Sequence, residues 1–533
     1  MPRLPLPTLP PLAQHVVFDL AGKLKLDALH PVRTGVSRFV TNRAGYTTTL
    51  RPRPLSMVSD YTSWLSLTDR TYSGRHLPPV SAEENATRPP LDDVLQLFRR
   101  QGEMTRSTDT SVLFMFFAQW FTDSFLRTDP YDHRKNDSNH EIDLCQIYGT
   151  RIEQTDLLRS RVGGRLKSQL IDGQEYPEFL FEPREPAGTG PLVFKPEFEG
   201  LHNAAWITDR ILVNAPEVHK DTFFAVGLEH GNSTIGNTTL NVVFIREHNR
   251  IAGLLEAEHP AWDDERLFQT TRNIMIVMLL RIVVEEYIVH IAPFDFPLEM
   301  VPLIADGERW NRTNWAAVEF NLLYRWHSLV PDTIGTGPDA LDATQFKNNN
   351  PLVIGEGIEA LVTLCSGQPA ARIGLRNTPT FLADPGAPGL PSVEQRTLSL
   401  MREARLPSYN AYREAYHLDP IESIDELTSD PELRTMLTDL YGDIDHVEWY
   451  VGIFAEDYPD YMMMGELVTA MVANDAFTQA LSNPLLARHI FDDDATFSPT
   501  GRTIIDNTRS IAQIIARNAQ DGVPVVASFK IDD

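Results

Sequence analysis

Phe320-Asn321-Leu322-Leu323-Tyr324-Arg325-Trp326-His327-Ser328-Leu329-Val330-Pro331-Asp332 is the stretch whose reading decides the fold. It opens in a helical register and closes on Val330-Pro331, where proline disfavours helix at the residue before it. Tyr324 and His327 are three residues apart, and on a helix that spacing puts their Cβ atoms about 5–6 Å apart on one face. A neutral imidazole is a good iron ligand. A phenol one turn away can give an electron to an oxidised iron and become a tyrosyl radical. The same pair also reads as a packed aromatic beside a hydrogen-bonded histidine, and the residues alone leave both readings open.

The rest of the chain sets the bounds. Its 533 residues (60.2 kDa) are 42% hydrophobic and 23% charged, an ordinary globular balance with room for a core that could bury a cofactor. With 73 acidic against 47 basic side chains, the formal net charge is −26. Bulk electrostatics then repel nucleic acid and anionic membranes, so no nucleic-acid partner is expected. A carboxylate ligand would need a local Arg or Lys. Cys145 and Cys365 are the only cysteines, which excludes a disulfide framework. The opening Met1-Pro2-Arg3-Leu4-Pro5-Leu6-Pro7 has no uninterrupted apolar signal core. Val112–Phe121 is too short to span a bilayer, and Ile274–Val284 carries Arg281. These features predict a cytoplasmic protein, with peripheral membrane contact left open.

Two segments are expected: an N-terminal arm over 1–50 and one large, mainly α-helical domain over 51–533 with few short strands. Arg33, Arg38 and Arg43 in the arm read as a solvated helical face or as a basic mouth for an acid substrate. A helix is predicted over Thr110–Thr128, apolar nearly all round and therefore central. Gln119, Asp123 and Arg127 recur on it every four residues. A buried polar stripe must be satisfied: either Asp123 and Arg127 pair with each other, or the stripe lines a polar cofactor pocket. Residues 129–222, including Ile142–Gly149, read as loops and hairpins. Helices follow over Thr238–Ala257, Leu267–Ile291, Gly355–Gly367, Ser392–Arg405, Tyr409–Tyr416, Ser429–Tyr441, Ile444–Phe454, Gly465–Leu481 and Asn507–Asn518. Ser392 and Ser429 are the expected N-caps of two of them.

Several motifs then combine. Asp60-Tyr61-Thr62-Ser63-Trp64, Phe117-Ala118-Gln119, Ile171-Asp172-Gly173, Arg246-Glu247-His248-Asn249-Arg250, Tyr324-Arg325-Trp326-His327 and Leu440-Tyr441-Gly442-Asp443-Ile444-Asp445 occur in one order. In that order and at nearly that spacing the chain resembles the haem peroxidase/cyclooxygenase superfamily, and within it the prostaglandin-synthase-like fatty-acid oxygenases. The resemblance implies a single haem-peroxidase-like helical domain and haem b as cofactor. It implies that His327 is the proximal iron ligand and Tyr324 the hydrogen-abstracting radical site. Tyr287 matches the tyrosine that bonds to it, and Phe320 an aromatic that packs near it. In such enzymes the cofactor performs the hard oxidation, and the protein supplies orientation and a dry channel.

The departures from the family pattern are as informative. The distal glutamine is kept as Gln119, but Asp123 stands in place of the distal histidine, and Trp120 stands where cyclooxygenases have another. Loss of a general acid–base group costs about 10²–10⁴-fold; Asp123 can serve as the distal acid–base group in principle, but its ionised form repels hydroperoxide anion, so weak or absent peroxidase turnover is expected. Arg43 is the nearest match to the carboxylate-pairing arginine, with Arg38 competing. The tyrosine that assists that arginine becomes Phe294, and Thr478 matches the serine acylated by aspirin-like compounds. Ser124 replaces a calcium-binding aspartate, so no structural calcium is expected. Arg246-Glu247-His248-Asn249 reads as a buried ion-pair network beneath the pocket. The expected activity is a haem-dependent dioxygenase adding O2 to an unsaturated fatty acid and giving a hydroperoxide, from a monomer or homodimer. The alternatives are a haem oxidase or oxygenase for another apolar metabolite, and a catalytically inactive haem- or lipid-binding homologue.

Overall fold

The computed structural model describes residues 11–23, 25–47, 61, 63–129, 131–294, 296–386 and 390–531. The expected boundary at residue 50 lies outside them, as do Asp60 and Thr62. Ten helices carry the account below. They are α1 (Pro11–Lys23), α2 (His30–Gly45), α3 (Val112–Thr122), α4 (Ile235–Glu258), α5 (Asp264–Ile282), α6 (Val318–Leu323), α7 (Asn350–Ser366), α8 (Val393–Glu403), α9 (Trp449–Ala455) and α10 (Glu466–Leu481). Helix dominates, as the sparse strand-like alternation predicts. The named strands form two antiparallel pairs: Arg106–Ser111 with Pro369–Ala371, and Ser168–Ile171 with Gln174–Pro177. The second is a tight hairpin. Asp172 and Gly173 both take positive φ (51° and 79°), which a two-residue Asp-Gly turn requires.

The centre is built around α4, which packs on α3, α5, α7 and the C-terminal helix Ile511–Asn518. Gly236 permits the closest of these approaches, because a Cβ there would lie 2.1 Å from Phe116 Cγ of α3. Ser111 starts α3, its hydroxyl accepting the Phe114 amide at 3.2 Å. Every residue from Val112 to Thr122 is buried except Gln119. The Arg246–Arg250 motif is a buried network, as expected. Glu247 accepts from Arg250 (2.7 Å), Arg517 (2.7 Å) and Asn518 (2.8 Å), and His248 sits between the Tyr148 hydroxyl and the Gly164 carbonyl.

Several local expectations are corrected. The central helix is shorter than Thr110–Thr128, because Arg106–Ser111 pairs as a strand. Cys145–Tyr148 is a helical turn, not part of a hairpin. The predicted helix Leu267–Ile291 begins at Asp264, and its i,i+4 pattern is interrupted by a π turn at Val283–Tyr287. Ser392 caps α8 through the Gln395 amide, but Asp430, not Ser429, caps Pro431–Tyr441. The helix Asp494–Asn507, which packs along α5, is absent from the sequence reading: it is broken at Ser498 (φ 61°) and contains Pro499.

Candidate active site

The Phe320–Asp332 stretch is not one helix. Helix α6 ends at Leu323, Tyr324 lies at its C-cap with φ −88° and ψ 3°, and His327 opens a separate 3₁₀ turn, His327–Leu329. Tertiary bonds at Arg325 take over from helical ones. The Tyr450 hydroxyl donates to the Arg325 carbonyl (3.0 Å), and the Arg325 guanidinium reaches Asn321, Thr128 and Thr397 at 3.0–3.1 Å. Tyr324 and His327 are therefore placed by separate turns, not by a shared helical face.

Tyr324 is packed by aromatic rings. Trp326 stacks on it at 4.8 Å between centroids, and Phe320 meets it edge-on at 5.2 Å. Among the described residues, its hydroxyl and that of the fully buried Tyr287 have no hydrogen-bond partner of ordinary geometry, yet the two phenols lie close enough to act on one another. Burial raises the pKa of both, which keeps both protonated. Tyr287 comes from the π turn and is wrapped by Phe114, Phe117 and Phe121 of α3 at 5.0–5.6 Å.

His327 is held from one side. Its Nδ1 lies 2.9 Å from Glu394 Oε2, and Glu394 is fully buried on α8. The Tyr450 hydroxyl of α9 shares its one proton between the Arg325 carbonyl and the other carboxylate oxygen, 3.1 Å away, and Thr378 donates to Oε2 at 3.3 Å. A carboxylate on Nδ1 fixes the tautomer with its lone pair on Nε2, the form that binds a metal. Nε2 makes no hydrogen bond to a described residue, and the side chain is 15% accessible.

On the other wall, Gln119 is exposed although α3 is otherwise buried, and Asp123 is partly accessible. The Asp123–Arg127 pair, one of the two readings of the stripe, does not form. Arg127 binds Glu229 (2.6 Å) and the Asp137 carbonyl, leaving Asp123 to accept from Asn237 Nδ2 at 3.2 Å. Burial pushes the Asp123 pKa up to about 7, against the opposing Arg127 charge and the Asn237 bond. Trp120 points into the core, its indole donating to Asn241 at 2.8 Å and its ring lying 4.4 Å from Phe244.

The expected channel residues are spread over the N-terminal arm and α10. Arg43 is in the last turn of α2, where burial lowers its pKa. Helix α2 packs along α10, the Asn474 amide donating to the Ala44 carbonyl at 2.8 Å. Arg38 lies earlier on α2. Phe294 packs on Phe18 of α1 at 4.3 Å between centroids. Thr478 on α10 is fully buried and turns its hydroxyl back to the Asn474 and Asp475 carbonyls of its own helix.

Two observations fit a haem between these walls: a histidine with a free, partly accessible Nε2 backed by a carboxylate, and an exposed glutamine on a buried helix. His327 would hold the iron through Nε2. Sequence reasoning missed Glu394, Tyr450 and Asn237. None lies in a quoted motif, and only chain folding brings Glu394, 67 residues from His327, to the imidazole. The buried pair His76–Asp475 (2.9 Å) on α10, whose charge acts on Tyr324, was also missed.

The animal haem peroxidase family profile matches residues 124–527. The chain is 31% identical to prostaglandin G/H synthase 2 of Gallus gallus over 513 residues, covering 93% of this chain and 78% of that protein. It is 31% identical to prostaglandin G/H synthase 1 of Rattus norvegicus over 494 residues, 90% and 76% of the two chains. In fold it is similar to peroxidase A of Dictyostelium discoideum, with TM-score 0.67 and 20% identity over 87% of this chain and 96% of that one. It is also similar to a fatty acid alpha-dioxygenase of Arabidopsis thaliana, with TM-score 0.68 and 16% identity over 95% and 91%. The chain thus belongs to the animal haem peroxidase family, a family of haem-binding oxidoreductases.

Proposed function

We propose that this protein is a haem-dependent dioxygenase that adds O2 to an unsaturated fatty acid through a radical on Tyr324, with weak peroxidase turnover. The observation that carries the reading is the ring-packed, partly buried Tyr324, its hydroxyl buried beside Tyr287, three residues before a histidine whose Nδ1 is held by a buried carboxylate. The prostaglandin synthases and fatty acid dioxygenases among its relatives and structural neighbours support the substrate class.

Haem b held by His327 would supply the one-electron oxidising power. The remaining roles fall to the chain. Glu394 orients the imidazole, and Trp326 and Phe320 fix the Tyr324 ring while excluding water. Tyr324 gives up its phenolic hydrogen and, as a neutral radical, takes a hydrogen atom from an allylic carbon of the lipid. O2 adds to the resulting carbon radical, and the peroxyl radical takes a hydrogen atom back from the Tyr324 phenol, which gives the hydroperoxide and restores the tyrosyl radical. Arg43 is the cation placed to meet the acid head group, with Phe294 and Thr478 shaping the path. Asp123 in place of a distal histidine removes the usual proton acceptor from that position.

The test is oxygen uptake with linoleate by the haem-loaded protein, recorded with its Soret band. Tyr324→Phe is expected to abolish uptake and keep the Soret band; uptake that persists would refute the radical role. Asp123 also favours a second reading, an inactive haem- or lipid-binding homologue, which predicts a normal Soret band and no uptake by wild type.

A further inference from the structure

The wall that carries Asp123 holds a second titratable ring. Residues 229–241 are fastened to α3 and the turn after it at three points. Arg127 Nη2 donates to Glu229 Oε1 at 2.6 Å, and Asn237 Nδ2 donates to Asp123 Oδ2 at 3.2 Å. Asn241 accepts from the Trp120 indole at 2.8 Å and donates to the Gly231 carbonyl at 2.9 Å. His230 lies between Glu229 and Gly231, two anchored residues, so its backbone is held beside the turn of chain bearing Trp120 and Asp123.

Its side chain is 45% accessible, while Leu228, Gly231 and Asn232 around it are buried. Neither ring nitrogen makes a hydrogen bond to a described residue; the nearest carboxylate contact is Nε2 to Glu229 Oε1 at 3.8 Å. Burial nevertheless lowers the His230 pKa, with Glu229 opposing and Arg127 assisting. The ring is therefore open on the stretch fastened beside Asp123, where the cleft of the haem reading would lie. Among the described residues, Glu229, Arg127 and His202 are ionisable groups that act on it.

We propose that His230 is the proton acceptor of this cleft, taking the proton of a hydroperoxide that enters it. The O–H bond of the hydroperoxide breaks, an N–H bond forms on the imidazole, and no electron moves in that step. His230 is better suited than Asp123. The imidazole starts neutral and becomes a cation beside the Glu229 carboxylate, whereas Asp123 must first ionise against burial. The inference rests on the haem-enzyme reading above.

Cyanide tests it, because the ligand arrives as HCN and must lose its proton to bind iron. In the full-length haem-loaded protein at pH 7, His230→Leu is expected to slow cyanide association about 100-fold or more with the ferric Soret band unchanged, and His230→Gln to do the same. Asp123→Asn is expected to slow it far less. In parallel, diethyl pyrocarbonate is expected to modify His230 in the apoprotein and to be blocked once haem is loaded, as read by peptide mass spectrometry. Unchanged association in both His230 variants, or modification that haem does not block, overturns the role of His230 and leaves the dioxygenase reading intact. Failure of the wild-type protein to take up haem overturns both.

Discussion

At Asp123, burial works against charge. Its pKa is pushed up to about 7 from an ordinary value near 4, so the folded protein holds a proton that the unfolded chain releases. By linkage, the unfolded state binds fewer protons between about pH 4 and 7, and stability falls as pH rises through that window. Above pH 7 the full penalty is present. Asp123→Asn removes it, so the variant is expected to gain more in melting temperature at pH 8 than at pH 4.5, as measured by scanning calorimetry on the apoprotein. An equal gain at both pH values would contradict the burial of this carboxyl. The sequence showed Asp123 in a polar stripe, but it suggested Arg127 as its partner. Competition for Arg127 by Glu229, 102 residues further on, could be seen only in three dimensions.

Among the elements, α8 and the 3₁₀ turn at His327 are the pair that matters. Glu394 is one buried carboxylate on an otherwise ordinary amphipathic helix, and its bonds to His327, Tyr450 and Thr378 make that helix part of the site. Partners of this kind, bonded to a metal-ligating histidine, are typically worth 10–100-fold in affinity. Glu394→Ala is expected to weaken haem retention by about that factor, measured by transfer of haem to apomyoglobin. It should also raise the haem reduction potential, since the carboxylate no longer adds electron density to the imidazole. The Ser392 cap of α8 was legible because capping is local chemistry. The break after Leu323 and the π turn at Val283–Tyr287 were not, because both answer to long-range bonds and packing.

Across the whole molecule, α4 is tied to the C-terminal helix through Glu247, which is fully buried and binds Arg250 on its own helix and Arg517 and Asn518 on the C-terminal one. Burial opposes ionisation of Glu247, but the Arg250 bond and the two cations outweigh it and hold its pKa below the ordinary range. Glu247→Ala is expected to destabilise the protein by about 2–3 kcal/mol, the range for hydrogen bonds to charged groups, because Arg250 and Arg517 keep some access to water. Urea unfolding measures it. The same variant should show earlier proteolysis near the C-terminus, since Ile511–Asn518 loses its tie to the core.

The sequence by itself determined the helical class, the central apolar segment at Val112–Phe121, the Arg246–Arg250 network and the motif order that carries the family. These rest on local periodicity, capping and residue identity, which neighbouring residues largely decide. Only the tertiary structure decided that Tyr324 and His327 sit on separate turns, that Glu394 backs the imidazole, and that Asp123 faces Asn237 instead of Arg127. Each of those depends on residues far apart in sequence meeting in a buried space. There, an unpaired polar group costs more than a broken helix, so long-range bonds override local pattern.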